Sequence, residues 1–410
     1  CTGDGDCQLE SGGRCLPSPL GANACAYPDT NCPGGYHWGD LTGSIAGQCL
    51  GEVDAGVDAP DAMTVDAIDA PIDAGPSSPI ATNYQMADLV IGQPSFTAPI
   101  ANRGFAANSV GGEAVAANAA GLWVVDATHA RVLQFAPLPT IGDPAATSLV
   151  GRPTLTDSAA VGAPTAGNLG TSIYSVGAGG SVLAVADSTR HRVLIWNPIP
   201  TTPGVAANVV VGQPDFASAT PGNGAAQLRT PGCVWTDGVR LVVCDTFNHR
   251  VLIWHTMPTA NGQAADLVLG QVGFGVAVDP ASPSSSTVAR PFGALASGTR
   301  LYVADDAFNR VLVWDGFPTA NNEAADLVLG QATFTEARDV AADNIYMSQP
   351  RGLATYRDAL LVSDVGHARV MIYQPIPVTS GAAAALVLGQ PDLFTESPAG
   401  TLPTQRDFRG

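Results

Sequence analysis

Residues 231–271 read PGCVWTDGVRLVVCDTFNHRVLIWHTMPTANGQAADLVLGQ. CVWTD and VRLVVCD flank Asp237-Gly238, a hairpin signal between two runs of β-branched residues. RVLIW follows Asp245 after a four-residue loop, and DLVLGQ follows a polar crossing marked by Pro258. The stretch predicts four short strands. Their apolar residues run consecutively rather than alternately, as in a sheet covered on both faces.

Working outward, this stretch is one copy of a repeat of about 60 residues. An apolar run closing on glycine recurs as LVIGQPSF, LVGRPTL, VVVGQPDF, LVLGQVGF, LVLGQATF and LVLGQPDLF, with its glycines at Gly92, Gly151, Gly212, Gly270, Gly330 and Gly389. A second element, Asp-x4-Arg-Val, pairs Asp126 with Arg131, Asp187 with Arg192, Asp245 with Arg250, Asp305 with Arg310 and Asp364 with Arg369. A proline follows each arginine by eight residues, at Pro139, Pro200, Pro258, Pro318 and Pro377. Four strands at this period fit one blade of a β-propeller, covered on each side by the next blade.

Pro-x-Gly, then Leu-x-Val-x-Asp, then Asn-x-Arg-Val resembles the NHL repeat, and LYVADDAFNRVLVW at 301–314 is the best copy. The resemblance spans 80–410, although the first two units lack the Pro-x-Gly entry. It implies an all-β, NHL-like propeller of four-stranded blades. Such propellers are mostly binding platforms, and a few relatives are enzymes.

The glycine-closed strand occurs six times and the Asp–Arg hairpin five times. The first strand, 88–92, therefore lacks hairpins before it and would complete a last blade with strands from the C-terminus. TLPTQRDFRG, at 401–410, matches the opening of a sixth unit. The count reads as five full repeats plus part of a sixth, six-bladed if complete. A five-bladed ring with one spare strand is the alternative.

Two further zones precede the repeats. Residues 1–50 hold Cys1, Cys7, Cys15, Cys25, Cys32 and Cys49. A dense, even set in a segment too small for a core predicts a disulfide-rich module in an oxidising compartment, with the pairing left open. Zinc is the rival reading, but no paired CxxC spacing occurs. CAYPDTNCPGGYHWGD, at 25–40, resembles cysteine-rich modules at the front of secreted myxobacterial proteins. Residues 51–79 repeat Asp-Ala with interleaved Pro and Gly, which predicts a disordered linker. The protein is thus expected to work outside the cell, at the cell surface or in a periplasm. A lipid anchor would follow if Cys1 were a mature N-terminus.

Composition excludes further classes. The chain of 410 residues carries 36 acidic and 18 basic residues, for a net charge of -18. All of its bases are arginine. No basic patch is available to neutralise phosphates, so no nucleic-acid partner is expected. No apolar run is long enough for a transmembrane helix. No nucleophile elbow, HExxH, P-loop or dinucleotide fingerprint appears.

The candidate sites carry competing readings. The repeated Asp–Arg pairs read as structural anchors, because every unit has one and arginine's planar fork can hold a carboxylate and loop carbonyls together. His129, His191, His249 and His367 share the same loop, and with Asp306 they are the candidate binding residues of one loop face. A metal held by these histidines is disfavoured, because their spacing to the arginine alternates and Phe308-Asn309 replaces them in the fourth unit. Turn formation in place of asparagine is preferred. Trp196, Trp254, Trp314, Phe135 and Tyr373 end the third strands and read as core between blades. Cys233 and Cys244 fall at neighbouring ends of a hairpin and are predicted to be paired.

The function favoured by the sequence is a non-catalytic scaffold that binds a protein or glycan ligand on a loop face, without catalytic residues, metal or cofactor. Stretches 152–174, 272–290 and 332–349 would carry its specificity. The alternative is a metal-dependent enzyme of the propeller lyase or lactonase type, with a divalent metal at the channel mouth. An incomplete ring would also expose strand edges through which chains could associate.

Overall fold

The computed structural model describes residues 14–17, 23–28, 36–38, 80–83, 85–97 and 104–396. Cys1, Cys7, Cys32, Cys49, the linker at 51–79 and the sixth-unit opening at 401–410 lie outside them. The chain divides into two compact units, Cys1–Ala70 and Pro71–Gly410.

In the first unit, β1 (Arg14–Pro17), β2 (Asn23–Pro28) and β3 (Tyr36–Trp38) form an antiparallel sheet in the order β1-β2-β3. Its register sets Cys15 opposite Cys25.

The second unit contains five four-stranded antiparallel meanders. Blade one is β4 (Gly112–Asn118), β5 (Gly121–Asp126), β6 (Arg131–Phe135) and β7 (Ser148–Val150). Blade two is β8 (Ile173–Gly179), β9 (Val182–Asp187), β10 (Arg192–Trp196) and β11 (Val209–Val211). Blade three is β12 (Cys233–Thr236), β13 (Leu241–Asp245), β14 (Arg250–Trp254) and β15 (Leu267–Leu269). Blade four is β16 (Pro291–Ser297), β17 (Arg300–Asp305), β18 (Arg310–Trp314) and β19 (Leu327–Leu329). Blade five is β20 (Pro350–Tyr356), β21 (Ala359–Asp364), β22 (Arg369–Tyr373) and β23 (Leu386–Leu388). First strands of successive blades adjoin one another around the centre. The fold is a β-propeller.

The consecutive apolar residues have the cause the pattern predicted. Four of the five core clusters draw on two neighbouring blades, so blades two, three and four are dry on both faces. Ile195 and Val182 of blade two pack with Trp254 and Val243 of blade three, and Trp314 packs with Val251 and Ile253 of the blade before it. The indole N–H groups of Trp196, Trp254 and Trp314 donate to the carbonyls of Val205, Gln263 and Glu323, each nine residues on. The third-strand tryptophans thus fill the gap between blades and pin the crossing loops.

The Asp237-Gly238 turn is longer than the two-residue form its sequence suggests. Thr236 pairs with Leu241, leaving four residues between. Asp237 Oδ1 accepts from the backbone of Val239 and Arg240, so the aspartate side chain closes the loop. At the open end of the same hairpin, Cys233 stands opposite Cys244 and the two are disulfide-bonded, stapling β12 to β13.

Crossing loops fasten one blade to the next. Val210 N donates to Asn261 Oδ1 at 3.0 Å, and Gly262 N donates to Val210 O at 2.9 Å. Val268 receives the same treatment from Asn321 and Asn322, and Val328 from Ser380 and Gly381. Residues 80–91 take part in this scheme twice. Asn83 Oδ1 accepts from Val387 N of blade five, and Asp143 N of blade one donates to Val90 O. Residues 88–92 form no ladder with a described strand. Asn83 clasps blade five as a following unit would, and blade one clasps Val90 as it would a preceding unit. Among the described residues, no helix is long and apolar enough to cross a membrane.

Candidate functional site

Five second strands end on an aspartate, and five third strands begin on an arginine directly opposite in register. A single 3-10 turn joins them in blades one to four. The residue just before the arginine is left-handed in every blade: Ala130, His191, His249, Asn309 and Ala368 have φ between 51° and 54°. The tight turn brings each Nε to within 2.7 to 3.3 Å of its carboxylate, with both side chains fully buried.

The remaining guanidinium nitrogens leave the blade. Arg131, Arg192, Arg310 and Arg369 each donate to the carbonyl 24 residues downstream, at Leu155, Phe216, Phe334 and Leu393. They also donate upstream, to Ser109, Asn168, Thr287 and Tyr346. Arg250 takes three upstream carbonyls instead, at Asn223, Gly224 and Gln227. The second oxygen of each aspartate accepts backbone N–H groups from the loop that enters its blade, among them Gly170, Arg229 and Ser348. In blades one, two, four and five the ion pair therefore fixes the loop before the blade and the loop after it, and in blade three it fixes the loop before. Burial pushes the carboxyls of Asp187, Asp245 and Asp305 up, against the pull of their arginines.

The glutamine of the Gly-Gln element had no assigned role in the sequence. Gln213, Gln271 and Gln331 are buried, and each donates both to the carbonyl of the left-handed residue and to a carbonyl seven residues on, at Thr220, Val278 and Arg338. Gln390 reaches His367 and Ala368. Arg152, the one exception in sequence, reaches His129 and Ala159. The recurrence of Gln after Gly was the signal for this second clamp.

The four histidines divide into two kinds. His129 and His367 stand three residues after their aspartates, where Asn248 stands in blade three, and all three bond to that aspartate. His129 is buried with its ring 4.4 Å from that of Phe105. Both nitrogens of His367 face acceptors, Asp364 Oδ2 at 2.8 Å and Val340 O at 3.0 Å. Burial disfavours its cation, but Asp364 outweighs burial and raises its pKa. His191 and His249 occupy the left-handed position shared with Asn309. His191 Nδ1 accepts from Thr230 N, and burial with the nearby Arg229 lowers its pKa. His249 Nδ1 bonds Ala289 O and lies 3.5 Å from Asp279. His129 and His367 are thus held by the aspartates of their own turns, and His191 and His249 by the loop that enters the next blade. Among the described residues, no three His, Cys, Asp or Glu side chains gather as a metal site.

Asp306 occupies a different setting. It is buried, yet it pairs with Arg290 of its own unit and Arg351 of the next blade, both nearly half exposed. Arg351 lies over the Phe292 ring at 4.9 Å, and Phe292 meets Tyr174 edge-on at 6.0 Å. Tyr174, Phe292 and Arg351 each stand second in the first strand of a different blade, so this aromatic and cationic cluster lies at the centre of the ring, at the end from which the long loops leave. Stretches 152–174, 272–290 and 332–349 all open at that end. A cleft of about 490 Å³ there includes Asp339, Ser348, His367 and Glu396 in its wall.

No protein-family model matches the chain. No curated protein matches it. Solved structures resemble it. The WD40 β-propeller domain of Doa1 aligns over 64% of this chain and 64% of its own, at 9% identity and a TM-score of 0.36. KlHsv2 with loop 6CD replaced by a Gly-Ser linker aligns over 64% and 65%, at 12% identity and a TM-score of 0.35. The computationally designed Ika4 protein aligns over 49% of this chain and 90% of its own, at 9% identity and a TM-score of 0.30. This chain thus spans a little under two thirds of the Doa1 and KlHsv2 chains. Likeness at this level carries no functional argument.

Proposed function

We propose that the protein is an NHL-type, non-catalytic binding scaffold, secreted or held at a cell surface, that engages a protein or glycan ligand through its long-loop end. One observation carries this reading. The repeated Asp, Arg and Gln side chains spend their hydrogen bonds on loop carbonyls and amides, which pre-shapes that end, while Tyr174, Arg290 and Arg351 stay accessible there. Aromatic and arginine side chains on a pre-shaped surface are what binding hot spots are made of. The Cys233–Cys244 disulfide supports an oxidising compartment. The cysteine-rich front, similar to secreted myxobacterial modules, supports the same compartment.

Screening the purified chain against immobilised glycans and extracellular proteins tests the reading. Tyr174→Ala with Arg351→Ala should abolish a specific signal, and Val239→Asp on a hairpin tip at the opposite end should leave it intact. A stoichiometric divalent metal in the purified protein, lost together with a lyase or lactonase turnover on chelation, would replace this reading with the enzymatic one.

A further inference from the structure

The residue after each buried aspartate can join neighbouring blades, and the repeat itself shows what that job requires. Ser188 donates to the carbonyl of Pro231, and Thr246 donates to the carbonyl of Pro291 at 2.7 Å, each at the entry of the next blade. One hydroxyl suffices in both. Blade four puts the buried Asp306 at this position and sets two arginines on it. Arg290 donates through Nε and Nη2 to Oδ1, and Arg351 of blade five donates through Nε to Oδ2 at 2.8 Å. One carboxylate cannot balance two guanidinium groups, so the cluster keeps a positive excess in a chain of net charge -18. Both arginines are nearly half exposed, and Arg351 Nη1 and Nη2 donate to no described residue. Asp306 thus holds Arg351 by its Nε side and leaves the outer edge of the fork open.

The aromatic half of the cluster depends on a residue without a side chain. Gly232 is the counterpart of Phe292 and Arg351 in the Pro-x-Gly entry of blade three. A Cβ on Gly232 would come within 2.8 Å of Phe292 Cδ1, so the bare glycine lets the ring lean across the place of blade three. There Phe292 carries Arg351 over its face and meets Tyr174 of blade two edge-on. Phe292 thereby ties the exposed Tyr174 to the open edge of Arg351.

We propose that this cluster is a receptor for a single carboxylate at the end of a chain: the C-terminus of a peptide whose last side chain is apolar. The proposal rests on the scaffold reading above and names its ligand. A planar carboxylate takes two parallel N–H groups from a guanidinium edge. An apolar side chain beside it covers the rings of Tyr174 and Phe292. The surroundings decide between one charge and many. Glu113 stands second in the first strand of blade one, as Arg351 does in blade five, and Asp279 and Asp339 are exposed on the long loops. A polyanion such as a polyuronate would bring further charges against these carboxylates, whereas a peptide terminus brings one.

The test presents the full chain with short peptides coupled through their N-termini and ending in Phe, Leu or Ala, each as the free acid and as the C-terminal amide. Free acids ending in Phe or Leu should bind, and amidation should weaken binding by at least about tenfold. Arg351→Gln, which leaves Asp306 paired with Arg290, should erase the preference for the acid and keep that for Phe and Leu over Ala. Tyr174→Ala should do the reverse, so each variant reports its own folding through the preference it retains. Equal binding of acid and amide would overturn the inference, as would no binding of any free acid, or tighter binding of oligogalacturonate than of any peptide. A ligand from the glycan and protein screen that is lost with Tyr174→Ala yet held equally well without a carboxylate would also overturn it, and would leave the scaffold reading standing.

Discussion

Asn83 accepts a hydrogen bond from the backbone N–H of Val387, 304 residues later, at 2.9 Å. Asn321 does the same for Val268 at 3.0 Å, across only 53 residues. The two contacts are chemically equal, but one joins neighbouring units and the other joins the first described stretch of the propeller to its last. Asn83→Ala should therefore speed exchange of the Val387 amide and lower stability by about 1 kcal/mol, the usual worth of such a bond. Asn321→Ala should cost a similar amount and act locally, at Val268.

Removing one partner of a buried Asp–Arg pair leaves an uncompensated charge. Arg250→Met should cost about 3–5 kcal/mol in urea unfolding. Asp245→Leu combined with Arg250→Met should recover much of that loss, because the pair no longer has to be desolvated. The loop carbonyls of Asn223, Gly224 and Gln227 lose their donor in both variants, so exchange in 222–228 should stay fast in the recovered protein.

The Cys233–Cys244 disulfide closes a short loop, with a sequence separation of 11. Cys233→Ala with Cys244→Ala should lower stability by about 2–3 kcal/mol by the chain-entropy estimate. Reductant should lower the melting temperature of the wild-type chain more than that of the double variant, and calorimetry reads both.

Gly270 has φ +85°, and an added Cβ would come within 2.9 Å of Val288 Cβ. Gly270→Ala should cost about 1–3 kcal/mol from backbone strain, with the packing clash added. Gly273, three residues on, has open space around the same point, and Gly273→Ala should be close to neutral. Parallel thermal melts separate the two.

His367 and His191 should titrate on opposite sides of the ordinary histidine value of 6.5. His367 is raised, so its contribution to stability is complete below about pH 6.5 and is lost as pH rises through its folded pKa. His191 is lowered, so its contribution is complete above about pH 6.5 and fades as pH falls toward its folded pKa. Imidazole NMR titration gives the order directly. Stability of His367→Asn and His191→Asn relative to wild type should converge at high and low pH respectively.

Much of this propeller was legible because its signals are local and periodic. A hairpin with Cys233 and Cys244 at its ends, an aspartate five residues before an arginine, and an aromatic at the end of a third strand repeat in fixed register, so pattern alone places them on the sheet. The aspartate partner and the kind of acceptor were legible, but which carbonyls the arginine reaches was not. They are backbone carbonyls, which any residue supplies, lying 24 residues away across a loop. The same holds for Gln271, whose recurrence was visible but whose acceptors are carbonyls. Tyr174 and Phe292 meet only because the ring closes two blades toward one centre, and no periodicity within a unit encodes that. The histidines were half legible. Their place in the turn follows from the sequence, while the difference between the aspartate-bonded His367 and the amide-accepting His191 depends on a one-residue offset that reverses their surroundings.

The two-way reach of the arginine also decides what a transplantable module would be. Arg192 finds its upstream carbonyl at Asn168 and its downstream carbonyl at Phe216. A graft cut at the sheet boundaries, from β8 to β11, would sever both and import a cation whose acceptors stayed behind. A graft running from 168 to 216 would carry every acceptor with it. The portable unit is therefore the blade with half of each adjoining loop, and chimeras spliced inside those loops should assemble where chimeras spliced at strand ends fail.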